Sequence, residues 1–197
     1  MKVIGITGGI GCGKSAVLNY LEENGGYVVE ADKLAQRLMR KGEDTYNKII
    51  DTFGTDILND EGEIDRVVFR EVVFSDQNAL KKLNVIVHPA VKDYIKQDIK
   101  HKRDSLKYNY YFIEAALLIQ DGYKSICDEI WYIYADVETR LDRLVSGRGG
   151  KKEFYQNVIA NQANDNYYRD NSDVVIDNSG DISITQNVLK VLLNKIN

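Results

Sequence analysis

The sequence predicts an α/β protein in which a five-stranded parallel sheet is covered by helices on both faces. Short β-branched and aromatic runs alternate with segments whose apolar residues recur at helical spacing, a pattern typical of parallel sheets with right-handed connections. The chain has 197 residues, of which 44% are hydrophobic. A domain of this length buries about 70% of the surface of its unfolded chain, so a core can form without disulfides or a structural metal.

The first two strands each lead into a helix. The β-branched run Lys2–Thr7 is followed by glycines and then by a predicted helix over Lys14–Glu23. A second short apolar run over residues 27–29 precedes apolar residues at helical spacing over 34–39. The chain therefore opens with two successive strand–helix units.

Residues 43–103 predict helices and no strand, because their apolar residues follow the helical period throughout. Asp65 and either Ser75 or Asp76 stand where helix N-caps are expected, and residues 59–62 are typical of a turn. We interpret this stretch as a helical insertion.

Three further strands are predicted over residues 110–113, 130–135 and 174–176, and a helix closes the chain. The first two of these runs carry few charges, as strands buried on both faces do. Asp136 is placed to cap the helix that follows the fourth strand.

The glycine-rich segment 146–152 has the composition of a linker, but the sheet still needs the strand and helix that follow it. We therefore expect a mobile excursion and not a domain boundary. Cations on such an excursion could close over a bound anion and offset its negative charge, although a cluster of charges is also typical of a solvated face. The cations that flank or occupy the segment are Arg140, Arg143, Arg148, Lys151, Lys152 and Arg169.

Composition excludes several classes of protein. The net charge is −4, with 26 basic and 30 acidic residues, so no overall field attracts nucleic acid or an anionic membrane. The apolar runs are too short to span a membrane, and the N-terminus lacks the features of a signal peptide. Cys12 and Cys127 form no CxxC pair, which favours a reducing compartment. We expect a cytoplasmic protein that binds neither nucleic acid nor membrane.

Residues 8–15 read GGIGCGKS and match GxxxxGK[ST] between a predicted strand and a predicted helix. Such a P-loop turns backbone N–H groups towards phosphate, with Lys14 on the β- and γ-phosphates and Ser15 on Mg²⁺. Nearby N–H groups could favour a Cys12 thiolate and redox sensitivity, or Cys12 could simply be a small residue that fits the loop. The expected ATP-binding residues of the motif are Gly8, Gly9, Ile10, Gly11, Cys12, Gly13, Lys14 and Ser15.

Two carboxylates stand at the ends of predicted strands, where parallel sheets gather their ligands. Asp32 could accept a proton from an attacking hydroxyl, or it could cap the next helix. Glu114 ends the third strand, where a carboxylate can hold a magnesium-bound water or can lie at a solvated strand end.

Five segments, in the same order along nearly the whole chain, resemble the dephospho-coenzyme A kinase family. The opening IGITGGIGCGKS resembles that of the family, and the late DVVIDNSG resembles its AspValValIleAspAsnXaaGly. The other three are Glu-Ala-Asp at 30–32, the acidic turn and Asp-Arg of 53–74, and Leu83-Asn84 with His88-Pro89.

The resemblance implies a three-layer P-loop kinase fold in a single domain. The core would comprise residues of about 1–32, 106–146 and 172–197, the helical substrate-binding region about 33–105, and the lid about 147–171. It also implies ATP-dependent phosphorylation of the ribose 3'-hydroxyl of dephospho-coenzyme A with Mg²⁺, giving coenzyme A and ADP in the final step of coenzyme A biosynthesis.

The resemblance also assigns roles to individual residues. Asp32 becomes the general base, and Lys14 and Arg140 join it as catalytic residues. The substrate-binding residues would be Asp32, Arg66, Arg70, His88 and Glu114, although His88 could also only orient a turn before Pro89. The further ATP-binding residues would be Ala16, Arg143, Arg148 and Asn178, the last near the adenine.

The chain departs from the family pattern at Glu30, at Ala16, at residues 115–120 and at Arg148-Gly149-Gly150. The longer side chain of Glu30 could alter the geometry of the metal site, and the departure at residues 148–150 could alter the contacts of the lid. Two alternatives remain at this point: a P-loop kinase that acts on a nucleoside monophosphate or small alcohol, and a nucleotide-dependent binding protein.

Overall fold

The computed structural model describes residues 1–194 and divides into two compact units. One contains Met1–Val29 and the chain from Lys102 onward, and the other is Glu30–His101. The strands are β1 Lys2–Thr7, β2 Tyr27–Glu30, β3 Tyr110–Glu114, β4 Glu129–Tyr134 and β5 Val174–Asp177. The helices are α1 Lys14–Glu23, α2 Ala31–Leu38, α3 Asp44–Phe53, α4 Arg66–Ser75, α5 Gln77–Asp104, α6 Val137–Arg148, α7 Lys152–Ala160, α8 Asp165–Asp170 and α9 Ile182–Asn194.

The five strands form one parallel sheet in the order β2-β3-β1-β4-β5. In its register Ile6 of β1 pairs with Glu114 of β3 on one side and with Trp131 of β4 on the other. The prediction of a five-stranded parallel α/β sheet is confirmed. The central place of β1 means that the loop that follows it has a neighbouring strand end on each side.

The sheet is buried on both faces, which explains why its central strands are almost free of charge. On one face Ile4 and Ile6 pack with Phe112 and Trp131, against α1 and α9. On the other face Tyr132, which is 1% exposed, stacks on a tyrosine of α8. A sheet packed in this way holds the carboxyl ends of its strands in fixed positions.

The second unit contains helices α2 to α4 and most of α5. The turn predicted at 59–62 is present, since the Gly62 amide donates to the Asn59 carbonyl at 2.9 Å. The rings of Phe53 and Phe69 meet edge to face with centroids 5.2 Å apart, which joins α3 to α4.

The glycine-rich segment 146–152, predicted to be a mobile excursion, is partly helical. Helix α6 continues through Arg148 and ends at Gly149, whose φ is 69°. Gly149 and Gly150 both have positive φ, a backbone conformation that glycine adopts at little cost. The predicted lid, 147–171, contains α7 and α8. Within residues 1–194 no helix is long and apolar enough to cross a membrane.

Replacing Asp65 should destabilise the second unit. Its carboxylate caps α4 by accepting from the amides of Val67 at 2.8 Å and Val68 at 3.1 Å. We expect Asp65→Ala to lower the free energy of unfolding by about 1 kcal/mol, measured by urea unfolding followed by circular dichroism. Asp65→Asn keeps an acceptor at the cap and should lose much less, and equal losses in the two variants would contradict the capping role.

Candidate active site

The glycine-rich loop between β1 and α1 takes a backbone path that side chains would block. Gly11 and Gly13 have φ values of 79° and 89°. A Cβ at Gly13 would stand 2.3 Å from Nδ2 of Asn178, and one at Gly9 would stand 2.3 Å from Nη2 of Arg140. These glycines are therefore required by close contacts as well as by backbone conformation.

Three side chains bond alternate carbonyl oxygens of the loop. Lys14 Nζ donates to the Gly8 oxygen at 2.7 Å, Arg140 Nε to the Ile10 oxygen at 2.8 Å, and Asn178 Nδ2 to the Cys12 oxygen at 2.8 Å. In a trans peptide unit the N–H points opposite to the C=O. Because these oxygens are held on one side of the loop, the N–H groups of the next residues, which are all glycines, point to the opposite side. This is the arrangement that an anion-binding loop needs.

The N-terminus of α1 adds to this arrangement. Its N-cap is Gly13, and among residues 1–194 no side chain makes a capping hydrogen bond to the helix. The first turn of a helix has N–H groups without partners inside the helix, together with a partial positive charge, and both favour phosphate. Ser15 and Ala16 lie exposed in this first turn.

Lys14 and Glu114 come together because β1 and β3 are neighbours in the sheet. Lys14 Nζ lies 3.8 Å from Glu114 Oε1. Glu114 is 8% exposed, and a buried carboxylate needs a partner of this kind. The loop lysine therefore lies between a carbonyl oxygen of the loop and the acidic end of β3.

Arg140 bonds the loop backbone together with a residue that the sequence analysis did not identify. Arg140 is 6% exposed, and its Nη2 donates to Gln162 Oε1 at 2.9 Å. The same glutamine oxygen accepts from the Ile10 amide at 2.9 Å. Gln162 is uncharged and belongs to no motif, so no signal in the sequence marks it.

Asn178 is predicted to lie near the adenine, and the structure places its side chain against the P-loop. It is 1% exposed, and besides its bond to Cys12 its Oδ1 accepts from the Thr185 hydroxyl at 2.8 Å. Its backbone N–H donates to the backbone carbonyl oxygen of Tyr134 at 2.8 Å. An adenine contact for Asn178 stays a prediction.

Among the cations around the predicted lid, Arg143 also lies close to the loop, although within the described residues it makes no bond to the loop backbone of the kind that Arg140 makes. The buried Nη1 of Arg143 has no hydrogen-bond partner among residues 1–194 and lies 3.6 Å from the position of a Cβ on Gly13. Arg148 is exposed at the end of α6. Lys152 pairs with Glu138 at 2.8 Å, and Arg169 lies over the ring of Tyr134 at 4.7 Å.

The second unit holds the remaining predicted residues. Asp32 is exposed in the first turn of α2, directly after β2. Arg66 and Arg70 of α4 line a cavity of ≈ 790 Å³, and Arg40, which the sequence analysis missed, lines it too. His88 is half-buried inside α5, which continues through Pro89, so no turn precedes that proline. His88 does not line the cavity.

Both thiols lie in environments that keep them protonated. Cys12 is 1% exposed, and burial raises its pKa against the opposing influence of Lys14. Burial also raises the pKa of Cys127, to about 12, with a further rise from the neighbouring Asp128. The structure therefore favours Cys12 as a small buried residue over Cys12 as a reactive thiol.

A phosphate-binding loop with its lysine, set after the central strand of a parallel sheet and before the N-terminus of a helix, defines a P-loop nucleotide-binding protein. The family model described as dephospho-CoA kinase matches residues 2–183. A dephospho-CoA kinase of Carboxydothermus hydrogenoformans is 36% identical over 196 residues, 99% of this chain and 94% of its own length. The chain belongs to the dephospho-CoA kinase family.

Solved structures agree with the fold. A crystal structure of a protein from Thermus thermophilus matches with a TM-score of 0.81 and 28% identity, over 100% of this chain and 98% of that one. A dephospho-CoA kinase from Campylobacter jejuni matches with a TM-score of 0.75 and 24% identity, over the same shares of the two chains.

The native thiols should react slowly. Because a raised pKa lowers the thiolate fraction at pH 8, we expect iodoacetamide to label the folded protein at least about tenfold more slowly than the protein unfolded in guanidinium chloride. Mass spectrometry after timed quenching gives both rates, and labelling of the native protein should accelerate as the pH rises above 9. Equal rates for folded and unfolded protein would contradict the assignment.

Proposed function

We propose that this chain transfers the γ-phosphoryl group of ATP to the ribose 3'-hydroxyl of dephospho-coenzyme A, giving coenzyme A and ADP. The observation that carries the proposal is the family match over residues 2–183, in a chain whose phosphate loop is held in a binding conformation. Direct transfer needs no covalent intermediate on the protein, since positioning and electrostatic stabilisation supply most of the catalysis.

ATP would bind with its phosphates on the loop and at the N-terminus of α1. Lys14 lies between the Gly8 oxygen and Glu114, at 2.7 and 3.8 Å, and its ammonium has three donors, so it can keep its bond to the loop and also donate to a phosphate oxygen. We assign Arg143 to the same phosphates, because its Nη1 is buried without a partner in the described part of the chain.

The donors near the loop suit Mg²⁺, which prefers hard oxygen ligands and keeps several of its waters. Ser15 presents an exposed hydroxyl in the first turn of α1, and Glu114 presents a buried carboxylate at the end of β3. We propose that Ser15 holds the ion and that Glu114 contacts one of its waters. The ion would supply positive charge against the β- and γ-phosphate oxygens.

We assign the general base to Asp32, on the basis of the resemblance and of the chemistry that the reaction requires. The 3'-hydroxyl must lose its proton as it attacks phosphorus, and an ionised carboxylate can accept that proton. Asp32 is exposed in the first turn of α2 and is therefore accessible to a substrate.

The cavity of the second unit suits dephospho-coenzyme A, which combines a diphosphate with a long, weakly polar arm. Its volume of ≈ 790 Å³ falls in the range of ligand sites. Arg40, Arg66 and Arg70 supply cations for the diphosphate. The apolar lining that would contact the arm consists of Met39, Ile64, Phe69, Val73, Phe74 and Leu83.

We further propose that the enzyme works in the cytoplasm on two small molecules and without nucleic acid. Cys12 and Cys127 are both unpaired thiols, as a reducing compartment favours. The net charge of −4 gives no general attraction for a polyanion.

Incubation of the purified protein with Mg²⁺ and ATP, with dephospho-coenzyme A or nucleoside monophosphates as acceptors, tests the function. We expect mass spectrometry to find one added phosphoryl group on dephospho-coenzyme A alone. Transfer only to another acceptor would overturn the substrate assignment, and no transfer at all would overturn the activity.

Asp32→Asn tests the base. Because a general base typically contributes a factor of 10²–10⁴, we expect kcat to fall at least about 100-fold, with the affinity for ATP retained. Asp44→Asn is the matched control, since Asp44 is also an exposed acid in the first turn of a helix. Turnover of Asp32→Asn close to that of the wild type would refute the assignment.

The double variant Arg66→Gln, Arg70→Gln tests the cavity. Loss of two cations from the site should raise the KM for dephospho-coenzyme A by about tenfold or more and leave the KM for ATP unchanged, as steady-state kinetics would show. Lys48→Gln removes an exposed cation of α3 and serves as the control. An unchanged KM for dephospho-coenzyme A would place that substrate elsewhere.

A further inference from the structure

We infer that Gln162 is a positioning residue for ATP, which acts by fixing the Ile10 peptide groups of the P-loop together with Arg140. The inference rests on the proposed function in one respect only, that ATP is the ligand of the loop. It assigns no contact between Gln162 and the substrates.

The geometry is a closed set of three hydrogen bonds. Gln162 Oε1 accepts from the Ile10 amide at 2.9 Å and from Arg140 Nη2 at 2.9 Å, while Arg140 Nε donates to the Ile10 oxygen at 2.8 Å. Both backbone polar groups of Ile10 are therefore bonded by side chains from distant parts of the sequence. The conformation of the loop at Ile10 is set from outside the loop.

The residues that precede and follow Gln162 in the chain are held in place by packing, which fixes the position of Gln162. Before it, Tyr155 and Ile159 of α7 pack with Leu144 and with the Ile10 side chain in one apolar cluster. After it, the Asp165 carboxylate accepts from the Tyr132 hydroxyl at 2.7 Å.

This hydrogen bond joins the start of α8 to β4. Tyr168 of α8 adds a second contact by stacking on Tyr132, with ring centroids 4.9 Å apart. Burial and the nearby Asp165 raise the pKa of Tyr132, so its hydroxyl stays protonated as the donor. The C-terminal end of the predicted lid is thus joined to the sheet and, through Gln162, to the loop.

Arg140 makes the glutamine necessary. Arg140 is 6% exposed, and its guanidinium lies so close to the loop that a Cβ on Gly9 would stand 2.3 Å from Nη2. A buried cation needs acceptors, and an unpaired buried donor is costly. Without the Gln162 oxygen, both Nη2 of Arg140 and the Ile10 amide lose an acceptor. Arg140 Nε would still bond the Ile10 oxygen, but the peptide that carries the Ile10 N–H would no longer be fixed, so ATP would meet a less ordered loop.

Two substitutions separate positioning from simple space filling. Gln162→Met keeps the length of the side chain and removes the acceptor oxygen, whereas Gln162→Glu keeps an oxygen that can accept from both donors. Asn161→Ala is the matched control, because Asn161 is an exposed neighbour whose side chain donates to the Asn157 oxygen of α7 and makes no bond to the loop within the described residues.

We expect Gln162→Met to raise the Kd for Mg·ATP, measured by titration calorimetry, by about tenfold, the loss typical of a charge-assisted hydrogen bond. The KM for ATP should rise in parallel, with the KM for dephospho-coenzyme A nearly unchanged and a fall of only a few degrees in the melting temperature, as loss of one buried acceptor predicts. Gln162→Glu should recover most of the ATP affinity, and Asn161→Ala should bind ATP like the wild type.

An unchanged Kd in Gln162→Met would overturn the inference, and so would Gln162→Glu losing as much affinity as Gln162→Met. A rise in both KM values together with a large fall in melting temperature would instead indicate a general structural role and would also overturn it. Because calorimetry measures ATP alone, these results hold even if the acceptor substrate proves to be another molecule.

Discussion

The organisation of the active site follows from one requirement, that the carbonyl oxygens of the phosphate loop be bonded by the protein. A loop that offers its N–H groups to an anion must turn its carbonyl dipoles away, and buried carbonyls without partners are costly. Here Lys14, Arg140 and Asn178 bond the oxygens of Gly8, Ile10 and Cys12, three alternate residues. The conformation of the loop is therefore formed in the protein itself, and under the proposed function ATP would not have to order it.

The donors come from elements that the sheet brings to the loop. Arg140 is carried by α6 after β4, and Asn178 directly follows β5, so both stand at the carboxyl ends of strands on the β4 side of β1. Glu114 comes from the end of β3 on the other side. Because the strands are parallel and their pairing fixes their ends together, a rigid sheet positions side chains that lie more than a hundred residues apart in sequence.

The second unit supplies a different chemistry. Its cavity combines three arginines and one carboxylate, Glu63, with a largely apolar lining, which would suit a substrate with a charged diphosphate and a long arm better than a small alcohol. The P-loop is shared by many phosphotransferases, so this helical unit is where the choice of acceptor would be made. The family match, which covers residues 2–183, includes the whole of this unit.

The sequence by itself determined the elements and the motif. The strand β1, the helix α1, the caps at Asp65 and Asp136, and the P-loop all depend on residues that are neighbours in the chain. Their physical basis is hydrophobic periodicity, local capping and the conformational freedom of glycine, all of which can be read locally. The family resemblance also pointed to Arg66 and Arg70, which line the cavity.

Only the tertiary structure decided how distant side chains serve the loop. Gln162, Thr185 and Arg40 gave no signal in the sequence, because their partners are set by strand pairing and helix packing over long separations. Long-range packing also determines the surroundings of Asn178 and Cys12. The Asn178 side chain bonds the loop backbone, and burial keeps the Cys12 thiol protonated. Local chemistry fixed which residues could bind phosphate, and packing fixed which ones hold the loop that does so.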